Sequence, residues 1–159
     1  MFDAGLETLA PEQLRAHQWR RFRAQAAELQ ASNEFVKAKW RAAGVRAADD
    51  LAGWDDFECL PFTLKREFVA DQAEHAPFGT NLTYPLERYV RVHQTSGTSG
   101  QPLRWLDTQE SWDWWIRCWG FALRGAGLTA GDRVFFPFSP SPAAARTRPR
   151  AWPGWRVSA

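Results

Sequence analysis

Cysteine is scarce in this chain: Cys59 and Cys118 are its two thiols. They have neither C-x-x-C spacing nor a metal-ligand pattern, which excludes a disulfide framework and a cysteine zinc site. Both read as free thiols in a reducing compartment, and the sequence predicts a cytoplasmic protein. Long apolar runs are also missing, so no segment reads as a membrane span. The opening MFDAGLETLAPEQLRAHQ carries acids and no apolar core, so it does not read as a secretory signal. His17 and His75 have no partners at metal spacing. There is no Gly-x-Ser-x-Gly elbow, which leaves Ser96 and Ser99 poor candidates for a hydrolytic triad. No repeat occurs at solenoid periods.

Acids are absent from residues 140–159, which hold Arg146, Arg148, Arg150 and Arg156. Residues 1–139 therefore carry 16 basic and 18 acidic groups, and the +2 net charge of the whole chain comes from its tail. A basic tail can serve nucleic acid or membrane. Here it is Ala/Pro/Arg-rich, without helical or strand period, and the reading adopted is neither nucleic acid nor membrane. The division expected is a globular part over 1–139 and an aberrant or disordered tail over 140–159. Its Pro/Ala/Arg composition is what a shifted reading frame in GC-rich coding DNA yields, so the tail is expected to be a frameshift product and the chain a truncation. With 45% hydrophobic and 24% charged residues, the chain can build a core.

The pattern predicts helices first, then an α/β arrangement. Pro11 suits a first helical turn, and Trp19, Phe22, Ala26 and Leu29 recur on one helical face. Ser32 and Asn33 break that pattern and offer a cap for a second helix with Phe35, Val36, Trp40 and Ala43 on its apolar side, stopped by Gly44. Leu51, Trp54 and Phe57 have helical spacing within the acidic 49–58 stretch. Thr63 is a candidate cap for a helix through Lys65, Phe68 and Val69. Residues 75–87 read as a loop punctuated by Pro77, Gly79 and Pro85. Residues 89–93 alternate as a strand, and 103–106 read as its return. Thr108 can cap a long helix with Trp112, Trp115, Ile116, Trp119 and Leu123 on one core-facing side, ended by Gly125 and Gly127. Trp114 is off that side and expected to be exposed. Gly131 and Asp132 turn into an expected buried strand over 133–138.

The segment between the paired strands carries the chemistry. Gly97 and Gly100 permit a tight turn and close backbone approach to a ligand. Thr95, Ser96, Thr98 and Ser99 add hydroxyls, and consecutive N–H groups in such a turn form a concave anion site. The features suit a polyphosphate, although a Gly/Ser/Thr cluster between strands is often a plain hairpin connection. It is not a Walker A loop, because no Gly-Lys-Ser/Thr follows at the required spacing.

Thr95-Ser96-Gly97-Thr98-Ser99-Gly100-Gln101-Pro102 resembles the phosphate loop of the adenylate-forming superfamily, which reads Ser/Thr-Ser-Gly-Thr-Thr-Gly-Lys-Pro. Flanking segments resemble the phenylacetate–CoA ligase branch in particular. Leu60-Pro61-Phe62-Thr63-Leu64-Lys65 is similar to its Leu-Pro-Phe-Thr-x-Lys element. Pro77-Phe78-Gly79 and Val90-Arg91-Val92-His93 stand at suitable distances before the loop. Gly127 to Val134 is similar to the Gly-Leu/Val-x-x-Gly-Asp-x-Val element after it. The resemblance runs in order over roughly residues 10–139.

This resemblance implies an α/β fold, a helical region followed by the start of a mixed sheet of an adenylate-forming N-terminal domain. It implies ATP and Mg²⁺ as cofactors, coenzyme A as cosubstrate, and a small aromatic or other carboxylic acid as substrate. The expected cofactor-binding residues are Thr95, Ser96, Gly97, Thr98, Ser99, Gly100 and Gln101, and no catalytic or metal-binding residue is expected in this chain. Gln101 stands where the family often has Lys, and Arg104 is either a substitute charge or an outward, solvated side chain. The alternative to an incomplete ligase is a noncatalytic nucleotide- or partner-binding fragment. His93, immediately before the loop, is either a structural histidine or a contact for nucleotide or acid. Cys59 is expected to be a small buried apolar residue.

Overall fold

The computed structural model describes residues 2–95 and 101–135. A short helix, α1 (Ala4–Glu7), precedes the long α2 (Pro11–Ser32), which does begin at its proline. Asn33 then separates α2 from α3 (Glu34–Ala42) and caps the latter by accepting from the Val36 N–H at 3.0 Å. Gly44 takes the left-handed backbone, at φ 88°, that ends α3.

Ala26 of α2, Trp40 of α3 and Leu51 form the buried core, with Trp19, Phe22, Leu29, Val36 and Leu60 packed against it. Complete burial of Leu51 contributes about 1.5–3 kcal/mol relative to exposure. Two aromatic contacts, one tilted and one edge-on, extend this core. The Trp19 ring lies 5.2 Å from Trp54, and Phe22 lies 4.9 Å from Phe57.

The acidic 49–58 stretch is not one helix. A 3₁₀ turn at Ala48–Asp50 and α4 (Trp54–Glu58) are separated at Gly53. Each piece is closed by its own carboxylate. Asp50 accepts from the Arg46 and Ala47 N–H groups, and Asp56 accepts from those of Ala52 and Gly53. Cys59 caps the end of α4 and is exposed, against expectation, because Trp54 and Phe57 already occupy the apolar side.

Thr63 does not cap the next helix. In α5 (Lys65–Glu74) the Glu67 carboxylate takes the Leu64 N–H at 2.5 Å, which supplies the closure from inside the helix. An aromatic run, Phe35 stacked on Phe68 at 4.9 Å and Phe68 edge-on to Trp105 at 4.8 Å, ties α3 through α5 to the sheet.

That sheet pairs β1 (Tyr89–Gln94) with β2 (Arg104–Thr108) antiparallel. The Thr108 hydroxyl accepts from the Ser111 N–H and starts α6 (Gln109–Gly125). The tryptophan face of α6 is rotated from expectation. Trp115 and Trp119 are 54% and 46% exposed. The inward stripe is Trp112, Ile116 and Gly120, because Gly120 lacks a side chain and admits the Phe2 ring. Trp114 is exposed as expected, with the Arg21 guanidinium 3.9 Å above its ring. Residues 133–135 form no strand. They pair with neither β1 nor β2, and Phe135 is 85% exposed; 136–138 lie outside the described residues. The tail 140–159 lies there too.

Candidate functional site

The Gly/Ser/Thr segment is the connection between β1 and β2. Of the expected binding residues, Thr95 and Gln101 are described; Ser96, Gly97, Thr98, Ser99 and Gly100 lie outside the described residues. Two reciprocal hydrogen bonds close the neck of this segment. The Thr95 N–H donates to the Leu103 carbonyl at 2.9 Å, and the Leu103 N–H donates to Thr95 Oγ1, also at 2.9 Å. Leu103 is 3% exposed, so the return point is anchored in packed structure. One hydroxyl expected to face a ligand therefore accepts from the backbone, while Gln101 is exposed.

The next residue of β2 is held from outside the sheet. Gln72 of α5 accepts from the Arg104 N–H at 3.0 Å and donates to the Arg104 carbonyl at 2.7 Å, as a neighbouring strand would. The Arg104 guanidinium donates to the Pro77 carbonyl at 3.2 Å. Its charge is thereby directed at the Pro77–Gly79 turn. Asp71 of α5 fixes that turn from below, accepting from the Thr80 N–H at 2.8 Å and the Thr80 hydroxyl at 2.6 Å. Gly79 has φ +78°, and a Cβ there would stand 2.2 Å from Asp71 Oδ2. Two segments distant in sequence, Pro77–Gly79 and β2, thus meet at the root of the loop.

A second polar network lies on the α2–α3 side. Asn33, 2% exposed, donates through Nδ2 to Asn81 Oδ1 at 3.1 Å and Thr83 Oγ1 at 3.0 Å. The Tyr89 hydroxyl accepts from the Thr83 N–H at 3.0 Å. These groups line a hollow of about 400 Å³ together with Trp105 and Thr108. Tyr84 donates to Glu28 at 2.7 Å, and this carboxylate raises the phenol pKa above its ordinary value. Nothing in the sequence marked Gln72, Asp71 or Tyr89; their partners are fixed only by the fold.

His93 sits on the strand that enters the loop. Its ring stacks on Trp112 of α6 at 5.5 Å and 18°, and Nε2 lies 3.0 Å from Asp107 Oδ2. Nε2 is fully covered and off the line of a hydrogen bond. Arg91 lies 4.1 Å over the same Trp112 ring, and Ser111 donates to Asp107 Oδ1 at 3.1 Å. His75 pairs with Asp71 at 3.3 Å. Among the described residues, no three His, Cys, Asp or Glu side chains come together as a metal site.

Sequence comparison places the chain. It is 31% identical over 129 residues to the phenylacetate–coenzyme A ligase of Escherichia coli strain K12, covering 81% of this chain. It is 36% identical over 102 residues to the phenylacetate–coenzyme A ligase of Thermus thermophilus, covering 64% of this chain. The chain belongs to the phenylacetate–CoA ligase family. It spans 28% of the length of the Escherichia coli member and 22% of the Thermus one. No family model matches the sequence.

The fold of this family member agrees with solved ligases. An open conformation of 2-hydroxyisobutyryl-CoA ligase, in complex with 2-HIB-AMP and CoA, superposes at TM-score 0.71 and 25% identity. The match covers 79% of this chain and 28% of that one. The same ligase in its thioesterification state gives 0.61 at 27% identity, over 66% of this chain and 22% of that one. The helical region and short antiparallel sheet are part of an adenylate-forming N-terminal domain.

Proposed function

We propose that this chain is the phosphate-loop-bearing N-terminal part of an ATP-dependent carboxylic acid–CoA ligase, with residues 1–139 forming that part and 140–159 a tail outside it. In the reaction, a carboxylate oxygen attacks the α-phosphorus of ATP and pyrophosphate departs, leaving an acyl-adenylate. The thiol of coenzyme A then attacks the acyl carbon, and AMP leaves as the thioester forms.

This chain's contribution is to the pyrophosphate. The backbone N–H groups and hydroxyls of Ser96, Gly97, Thr98, Ser99 and Gly100 hold the β- and γ-phosphates and stabilise charge on the leaving group. Gln101 adds an amide where a lysine charge is frequent in the family. Mg²⁺ belongs to the same proposal and would neutralise phosphate charge when bound. The described residues offer no cluster for it, so no step is drawn through the metal. An aromatic acid is the substrate class suggested by the relatives' names.

The observation that carries this reading is the closed neck at Thr95 and Leu103, which holds together the two ends of a Gly/Ser/Thr segment of this composition. Calorimetric titration of the 159-residue chain with ATP and with pyrophosphate tests it. Binding of both, reduced at least about tenfold by Gly97→Val or Gly100→Val, is expected, a loss of about 1.4 kcal/mol. Equal affinity in the valine variants, or no binding by the parent chain, would remove the proposal.

A further inference from the structure

We propose that the outer edge of β2 at Leu106 is a seat for an uncharged primary carboxamide, with the apolar body of that ligand in the adjoining hollow of about 400 Å³. The site draws on no residue of the phosphate loop and does not depend on that reading.

The ladder decides which way the backbone of β2 points. The Thr95 N–H meets the Leu103 carbonyl, so this pair is a bonded one, and every second residue from it turns its N–H and C=O away from the partner strand. Arg104, opposite Gln94, and Leu106, opposite Val92, are the outward residues. At Arg104 the outward pair is already filled. The Gln72 carboxamide accepts from the N–H at 3.0 Å and donates to the carbonyl at 2.7 Å. Thr108, two residues beyond Leu106, has its carbonyl taken by the Ser111 hydroxyl at 3.1 Å. Leu106 lies between them, about 7 Å along the edge from Arg104. Its N–H and carbonyl have no partner among the described residues.

That pair opens into the hollow. All five residues of β2 line it, although neighbouring side chains point to opposite faces of a sheet, so the hollow runs along the strand's edge. Its other wall comes from α2, α3 and the loop after α5, where Leu29, Val36, Phe78 and Leu82 are apolar. The hydrogen bonds of buried Asn33 to Asn81 and Thr83 hold this wall in place before any ligand arrives. Among the described residues, the charges on the lining are Arg104 and Asp107, of opposite sign and both engaged. Arg104 donates to the Pro77 carbonyl, and Asp107 accepts from the Ser111 hydroxyl. An ionised ligand meets no free counter-charge there, whereas a primary amide presents one N–H and one C=O on the same edge. It repeats at Leu106 the pairing that Gln72 makes at Arg104. A phenyl-sized body suits a hollow of this volume and lining.

The probe is benzamide, titrated into the 159-residue chain carrying ¹⁵N-leucine and ¹⁵N-arginine. The Leu106 amide resonance should move and saturate. N,N-dimethylbenzamide keeps the carbonyl and lacks the N–H, and benzoate lacks the N–H and is charged; each should bind at least about tenfold more weakly. Gln72→Ala supplies the control, because it frees the outward pair of Arg104. In that variant, its fold checked by far-ultraviolet circular dichroism, benzamide should move the Arg104 amide as well. Should the variant not fold, the three probes on the unaltered chain decide alone. A Leu106 amide that benzamide leaves unmoved, or that N,N-dimethylbenzamide moves equally at equal concentration, overturns the inference and leaves an edge served only by water. Movement at Arg104 in Gln72→Ala with none at Leu106 overturns it too, since the edge then takes amides but not at Leu106.

Discussion

Single side chains at the root of the loop carry separable jobs. Leu103 is buried, and its N–H is served by Thr95 Oγ1. Thr95→Val keeps the shape and removes the acceptor, so it should cost about 1–3 kcal/mol in urea unfolding, whereas Thr95→Ser should recover most of that. Asn33 offers a second case, because its two ends do different things. Oδ1 caps α3 while Nδ2 bridges to Asn81 and Thr83. Asn33→Asp should keep the cap and lose the bridge, and Asn33→Ala should lose both. The alanine variant is then the less stable, its cap alone being worth about 0.5–2 kcal/mol. Gly79→Ala combines a left-handed backbone with a Cβ driven against Asp71, and should destabilise more than Thr95→Ser. A cap at Ser32 or Asn33 was legible from their place between two apolar periods, and the fold uses Asn33. Its bridge was not, because Asn81 and Thr83 lie 48 and 50 residues along the chain. The exposure of Cys59 was likewise hidden, since it depends on which side of α4 the aromatic residues claim.

Elements were most legible where a local rule and the tertiary packing agree. Pro11 and Thr108 open α2 and α6 as their chemistry requires, and the alternation at 89–93 reports β1. Thr63 failed as a cap because the helix starts one residue later, with Leu64 at the cap position and the Glu67 carboxylate closing back on its N–H. The tryptophan stripe of α6 failed for a different reason: helical spacing defines a face, but Phe2 on Gly120 decides which face turns inward. The 133–138 strand was read from a short apolar run after a Gly-Asp turn, yet a strand needs a hydrogen-bonding neighbour, and residues 133–135 have none among β1 and β2. The start of α5 also carries a pH signature. Lys39, paired with Glu67, lowers the carboxyl pKa below its ordinary value, and the Leu64 N–H adds to this. Stability from this pair is fully present above the ordinary carboxylate range and is lost as pH falls through the lowered folded value. Urea midpoints taken from neutral pH to about pH 3 should therefore fall less steeply in Glu67→Gln, which starts from a lower midpoint at neutral pH.

At the scale of the whole molecule, the helical core and the hairpin present an uncovered aromatic surface. Trp115, Trp119, Val134 and Phe135 are all exposed, and the first two pack edge-on against each other at 6.1 Å. A surface of this kind promotes association. Sedimentation velocity of the 159-residue chain should show concentration-dependent association, shifted toward monomer by the double change Trp115→Gln with Trp119→Gln. A monomer at every concentration with a sharp two-state melt would refute this. The resemblance that placed the chain in its family was legible because phosphate-loop chemistry is local: glycines, hydroxyls and backbone N–H groups within eight residues, 95–102. The grip of Gln72 and Arg104 on the root of that loop was not, since it joins Arg104 to Gln72 and Pro77, 32 and 27 residues earlier in the chain. The most direct test transplants residues 10–139 into the Escherichia coli phenylacetate–CoA ligase in place of its matching segment and measures carboxylate-dependent ATP–pyrophosphate exchange. Exchange by the chimaera, abolished by Gly97→Val, is the predicted result. A folded chimaera that binds CoA and shows no exchange would contradict the assignment of this segment to pyrophosphate.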